Sequence, residues 1–141
     1  MVLTLIAALI FQPAGQATTG FVCMSDPATG DVEIVMTRRN LDGVLEADID
    51  GKWASARLED RPEAANLDWY RSGAPIVRDG VRYVRTEQTS SHGTAVNRYF
   101  RHVGLHDGAP LFSVWPGGDI DLAVLVSQQG CVFHVYRRER P

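Results

Sequence analysis

The sequence predicts an all-β fold, a small antiparallel barrel or sandwich of about eight strands with at most one short helix. Three observations carry this. Four Asp-Gly pairs, Asp42-Gly43, Asp50-Gly51, Asp79-Gly80 and Asp107-Gly108, punctuate the chain. Asp-Gly suits two-residue hairpins because both residues tolerate positive φ. The runs between the pairs are short and rich in β-branched and aromatic residues, and none is long enough for the helical crossovers of a parallel sheet. At 141 residues, 45% hydrophobic and 22% charged, the chain has the size and composition of one globular domain.

The first seventeen residues are set apart from that domain. Val2–Phe11 is an almost unbroken apolar run, Pro13 ends it, and Gly15-Gln16-Ala17 supplies the small residues a signal peptidase reads. Residues 1–17 are therefore expected to be a signal peptide and residues 18–141 a single antiparallel β domain, periplasmic or secreted. Ten residues are too few to span a bilayer as a helix, so no membrane span is expected. No Lys or Arg precedes the run, and the rival reading is a buried strand or short core helix.

In chain order, Phe21–Met24 opens the domain and Val32–Thr37 follows through Thr29-Gly30-Asp31. Val44–Leu58 alternates apolar and polar residues on both sides of Asp50-Gly51, the pattern of a tight hairpin. Arg61–Tyr70 is the one helix-like piece: Asp60 is placed to cap it, Pro62 and Glu63 suit a first turn, and Ser72-Gly73 ends it. Val81–Thr86 alternates valine and tyrosine with arginine, and Thr86–Thr94 reads as a polar connection. Asn97–Val103 and Leu111–Trp115 are further strands, and Pro116–Asp119 leads into the last hairpin. That hairpin, Ile120–Tyr136, is broken by Ser127-Gln128-Gln129-Gly130.

The chain has two cysteines, Cys23 in the first strand and Cys131 just past that last turn. Their spacing fits neither a metal site nor a CxxC redox pair. In an oxidising compartment such a pair is most simply a structural disulfide, and closing so long a loop contributes about 4–5 kcal/mol in the chain-entropy model.

The chemistry-bearing residues point to no established site. The net charge of −3 gives no reason to propose nucleic acid. Lys52 is the only lysine; the arginines suit planar anions, but no function is read from the bias. His102 and His106 are four apart on a strand rather than a helix, and no closed ligand set forms around them, so no metal is expected. Asp48-Ile49-Asp50-Gly51 resembles a piece of a calcium loop, but Lys52 occupies the next ligand position. Ser90-Ser91-His92-Gly93 places a nucleophile type beside a base type without a nucleophile elbow. Gly117-Gly118 lacks the lysine of a phosphate loop, and no cofactor is expected. The arginine and aromatic alternation of Val81–Arg85 and Asn97–Arg101 fits a binding face or a sheet with one wet face.

Phe21-Val22-Cys23, the Trp115-Pro116-Gly117-Gly118-Asp119 turn with Leu122, and the late Cys131 together resemble the bacterial inhibitors of c-type lysozyme, which are small antiparallel barrels, periplasmic or lipid-anchored. The likeness covers half of the mature chain. It implies that groups on a Ser-Gly loop and on the Trp turn enter a lysozyme cleft. Ser72-Gly73 is present, but the tyrosine that should follow comes late, at Tyr83, and Gly117 stands where the family carries lysine. Residues 61–108 are also longer than the family pattern needs.

These readings converge on a non-enzymatic exported domain that binds a protein, such as a lysozyme-like enzyme, or an envelope component. Ser72, His92, Trp115, Gly117 and Asp119 are its candidate binding residues, on polar loops 86–95 and 116–119 and beside Ser72. The rivals are a small ligand-binding or hydrolytic barrel using His92, His102 or His134 at its mouth, and a structural envelope component.

Overall fold

The computed structural model describes residues 19–91, 100–114 and 121–141. Among them are ten antiparallel strands, β1 (Thr19–Ser25), β2 (Val32–Arg39), β3 (Leu45–Ile49), β4 (Lys52–Ser55), β5 (Ile76–Arg78), β6 (Val81–Ser90), β7 (Phe100–His106), β8 (Ala109–Val114), β9 (Leu122–Ser127) and β10 (Val132–Arg138). They form a four-stranded sheet in the order β1-β2-β3-β4 and a six-stranded sheet in the order β5-β6-β10-β9-β8-β7. One of the two is curved into a half-barrel. The all-β antiparallel class follows the sequence, with ten strands where about eight were expected.

Three Asp-Gly pairs close two-residue hairpins as anticipated. Asp50, Asp79 and Asp107 all take positive φ, as do the glycines that follow them, and they join β3 to β4, β5 to β6 and β7 to β8. The fourth pair differs. Only Gly43 is left-handed there, and Asn40 organises the loop by accepting from the Asp42 and Val44 amides on its side-chain oxygen.

Two expected elements change. The helix anticipated over Arg61–Tyr70 is instead a 3-10 turn at Ala64–Asn66 and a single α-turn, α1 (Asp68–Arg71). Leu67 between them is extended, which lets Ala64, Leu67, Trp69 and Tyr70 all reach one apolar cluster. The polar connection expected from Thr86 is, as far as Ser90, the second half of β6. Its residues pair with β10, where Thr89 meets His134 and Ser90 meets Phe133.

The core has three parts. Phe100, Phe112, Leu125 and Phe133 of the six-stranded sheet pack against Cys23, Val32 and Ile34 of β1 and β2. The opposite face of the same sheet buries Ile76, Leu122, Val124 and Tyr136 under the 64–71 segment. A smaller cluster of Val22, Met24, Val35 and Ala47 lies on the far side of the four-stranded sheet.

Cys23 and Cys131 are bonded, with Cα atoms 4.9 Å apart, and both are buried. Beside them Gln128 is fully buried and ties four segments together. Its side-chain oxygen accepts from the Ser25 amide and hydroxyl, each at 3.0 Å. Its side-chain amide donates to the Leu58 carbonyl at 2.9 Å, and its backbone amide to the Glu63 carboxylate at 2.8 Å. The Cys23 amide donates to its carbonyl. A buried amide this fully paired costs little to desolvate and much to unpair.

Candidate functional site

Of the residues nominated by sequence, Ser72 lies within the described structure, while His92, Trp115, Gly117 and Asp119 fall outside the described residues. Ser72 is exposed at the end of α1, where its hydroxyl donates to the Trp69 carbonyl. Gly73 beside it has φ +73, and a Cβ there would lie 3.1 Å from Arg85 Nη2, so the loop sits close against β6. Arg85 in turn donates to the Tyr70 carbonyl and lies over the Tyr70 ring.

Beneath this loop the structure brings together residues the sequence kept apart. His134 Nε2 meets the Thr86 carbonyl, which only accepts, so Nε2 carries the proton. Nδ1 pairs with the Tyr70 hydroxyl at 2.8 Å. Burial raises the Tyr70 pKa, against the pull of Arg85. Tyr136 beside them is pushed up to about 12, chiefly by burial, and its hydroxyl has no hydrogen-bond partner. The arrangement fastens α1 to the sheet through hydrogen bonds on both nitrogens of one ring.

A second histidine station lies on the other face. His102 Nδ1 is 2.9 Å from Asp31 Oδ1, and the other Asp31 oxygen accepts from Thr29 Oγ1. His102 Nε2 is buried and unpartnered. Gly30 closes over it: with φ +77, a Cβ there would fall 2.5 Å from Leu105 Cδ2 and 3.3 Å from Nε2. A carboxylate orienting a histidine is the geometry of a general base, but the nitrogen that would act is sealed. His106, on the same strand, stacks edge-on to Trp69, whose Nε1 donates to the Asp107 carbonyl.

Among the described residues, open clefts lined by charge include the following two. One, of about 420 Å³, lies among Asp26, Asp31, Glu33, Asp48, Asp50 and Arg61, and Asp48 Oδ1 in it is buried without a partner. The Thr29 and Ala28 amides, donating to the Asp26 carboxylate, lower its pKa. The other, of about 360 Å³, lies among Asp121, Arg137, Arg138, Glu139 and Arg140. Residues 19–60 carry nine acidic and four basic side chains, residues 61–141 eight acidic and ten basic, so opposite net charges divide along the chain.

Among the described residues no group of three or more His, Cys, Asp or Glu side chains is placed to hold a metal ion, and no helix is long and apolar enough to cross a membrane.

Comparison with known proteins adds no relative. The chain matches no family model, no curated protein and no solved structure.

Sequence reasoning missed Gln128, which it spent as a turn residue, and the pairs Tyr70–His134 and Asp31–His102. No local signal marks these pairs, because their members come from separate elements. Gln128 had one usable sign: its turn is followed at once by a cysteine expected to bond the first strand.

Proposed function

We propose that this chain is an exported, non-enzymatic protein-binding domain, in its most specific form an inhibitor of a c-type lysozyme. The observation that carries the reading is the buried Cys23–Cys131 bond. It is compatible with a periplasmic or extracellular location, and it joins the two places where the inhibitor-like motifs put their cysteines. Residues 1–17 then act as the export signal. Two sheets cross-linked in this way form a rigid base for loops that enter a partner's cleft. The exposed Ser72-Gly73 loop, seated on Arg85, is one such group; His92, Trp115, Gly117 and Asp119 supply the others. With glycine where the family has lysine, the contact at the Trp turn is steric rather than ionic.

The test is lysis of bacterial cells by a c-type lysozyme in the presence of the purified, oxidised protein, paired with size-exclusion chromatography of the mixture. A dose-dependent loss of lysis with co-elution is expected. Unchanged lysis with separate elution at large molar excess removes the inhibitor reading.

The Asp31–His102 pair favours a second reading, a small ligand-binding or hydrolytic barrel. It requires the Gly30 turn to lift from His102 Nε2. Turnover of an ester panel no faster than that of a His102→Gln variant would eliminate it.

A further inference from the structure

We propose that the cleft between β2 and the β3–β4 hairpin takes an extended, basic peptide segment of a partner protein as an added strand. The cleft exists because the β2–β3 ladder stops short. β1 pairs with β2 from Arg38 down to Val32, whereas β3 pairs only with Thr37, Arg38 and Arg39. Val35 and Ile49, which the same register would set opposite each other, instead both line a cavity of about 420 Å³. Backbone groups of β2 face this gap. The Cys23 amide donates to the Gln128 carbonyl at 3.0 Å, so Cys23 turns its backbone polar groups away from β2. Its ladder partner Ile34 then turns its own away from β1, to the side that β3 has left. Asn40, on the same alternation, donates its amide to the Val44 carbonyl on that side. At Ile34 no strand of the described residues pairs from there, which leaves a sheet edge of the kind another chain can extend.

Charge selects the occupant. Met24, Val32, Val35 and Ile49 give the cleft an apolar lining, and five carboxylates and Arg61 complete it. Asp31 is bound to His102, and Asp26 accepts from the Ala28 and Thr29 amides. Arg61 donates to the Ser25 and Arg57 carbonyls. Glu33, Asp48 and Asp50 remain, and none of them makes an ion pair among the described residues. Asp48 Oδ1 is buried with no hydrogen-bond partner, an acceptor that a bound donor would satisfy. Successive side chains of a strand point to opposite faces. Glu33 shares a face with Val35, and Asp48 lies on the face opposite Ala47, so the acids flank the gap on both sides of the sheet. A peptide bonded to the Ile34 edge presents alternate side chains to those two faces. Cations there meet carboxylates while its backbone supplies the missing ladder partner. The loops of the lysozyme reading take no part, so this surface stands apart from that reading.

The experiment titrates the oxidised chain into a fluorescein-labelled peptide of alternating arginine and valine and reads anisotropy. Amide exchange of the same mixture is followed by NMR. Saturable binding that weakens with salt is expected, with slowed exchange of the Ile34 amide. Affinity should fall roughly tenfold in the double variant Glu33→Gln with Asp50→Asn. Both positions are exposed, and asparagine tolerates the positive φ of Asp50. The double variant Asp42→Asn with Glu59→Gln removes the same charge from exposed sites elsewhere and should bind as the parent does. A peptide with the same side chains but every backbone amide N-methylated cannot donate to the edge and should bind roughly tenfold more weakly or worse. Absence of saturable binding overturns the proposal, as does an equal loss in both double variants. Equal binding of the N-methylated peptide overturns it too, because charge alone would then explain the contact. Dimeric elution of the free chain with the Ile34 amide already protected would place a second copy in the gap and likewise overturn it.

Discussion

The six-stranded sheet is packed on both faces, by β1 and β2 on one side and by the 64–71 segment on the other. In the four-stranded sheet β1 and β2 reach clusters on both sides, with Cys23 and Ile34 facing one and Val22, Met24 and Val35 another, whereas β3 and β4 do not. The difference shows in the strands. β8 and β9 each bury their first four residues in succession, whereas Ala47 is the one buried residue of β3 and β4. Along the face that holds Cys23 and Ile34, the next cross-strand pair, Phe21 and Met36, is 53% and 44% exposed. The four-stranded sheet thus extends past its cover and depends for order on what ties it down. Two ties are visible, the disulfide and Gln128.

The disulfide is the larger. Replacing both cysteines by serine removes a crosslink closing 108 residues and should cost about 4–5 kcal/mol in urea unfolding. If the sheets differ as described, amide exchange in β3 and β4 should rise far more than in β8 and β9. A uniform rise across both sheets would break the comparison and mean that the two unfold as one unit.

Gln128→Leu tests the second tie. It leaves the Ser25 amide and the Leu58 carbonyl without their partner while keeping the turn. About 2–4 kcal/mol should be lost, read again as the shift in urea midpoint at constant slope. Exchange near Ser25 and Leu58 should increase while the Phe100–Phe133 contact region stays protected. A loss below 1 kcal/mol would mean that water replaces the side chain without penalty.

Turn chemistry and cysteine spacing were readable in the sequence because each acts locally or in a forced pair. Asp50-Gly51, Asp79-Gly80 and Asp107-Gly108 fold as their φ preferences require, and with two cysteines there is only one possible intramolecular pairing. The second half of β6 was unreadable for the opposite reason. Beyond the three residues paired with β5, Thr86–Ser90 is held, among the described residues, from one side only by β10, and most of it faces solvent. Ladder hydrogen bonds, not apolar periodicity, make it a strand. The 61–70 segment carries helix-start residues, but burying Ala64 and Trp69 in the same cluster breaks the helix at Leu67. Of the candidate site, only Ser72 can be placed, and its hydroxyl ends the α-turn. The histidine pairs depend on sheet order, which no short window of sequence encodes.

The smallest expected effect separates the two halves by pH. Tyr70 and Tyr136, whose pKa values burial raises, both pack in the cluster of the six-stranded sheet, so alkaline destabilisation through their ionisation begins in that half. Burial favours the neutral phenol of Tyr136 and raises its pKa from 10.0 to about 12 in the folded chain. The folded state therefore keeps a proton that the unfolded chain releases first. Its stabilising share is intact below pH 10 and is lost as pH rises toward 12, roughly 2–3 kcal/mol in all. Tyr136→Phe should remove most of that alkaline slope, leaving the smaller part due to Tyr70, whose pKa is also raised. At neutral pH the same variant should change stability by less than about 1 kcal/mol, because the hydroxyl it deletes has no hydrogen-bond partner. Urea midpoints from pH 8 to 12 for both proteins decide the matter. If the variant keeps the full alkaline slope, the proton responsible is not on Tyr136, and the 64–71 segment does not seal that face as tightly as its packing implies.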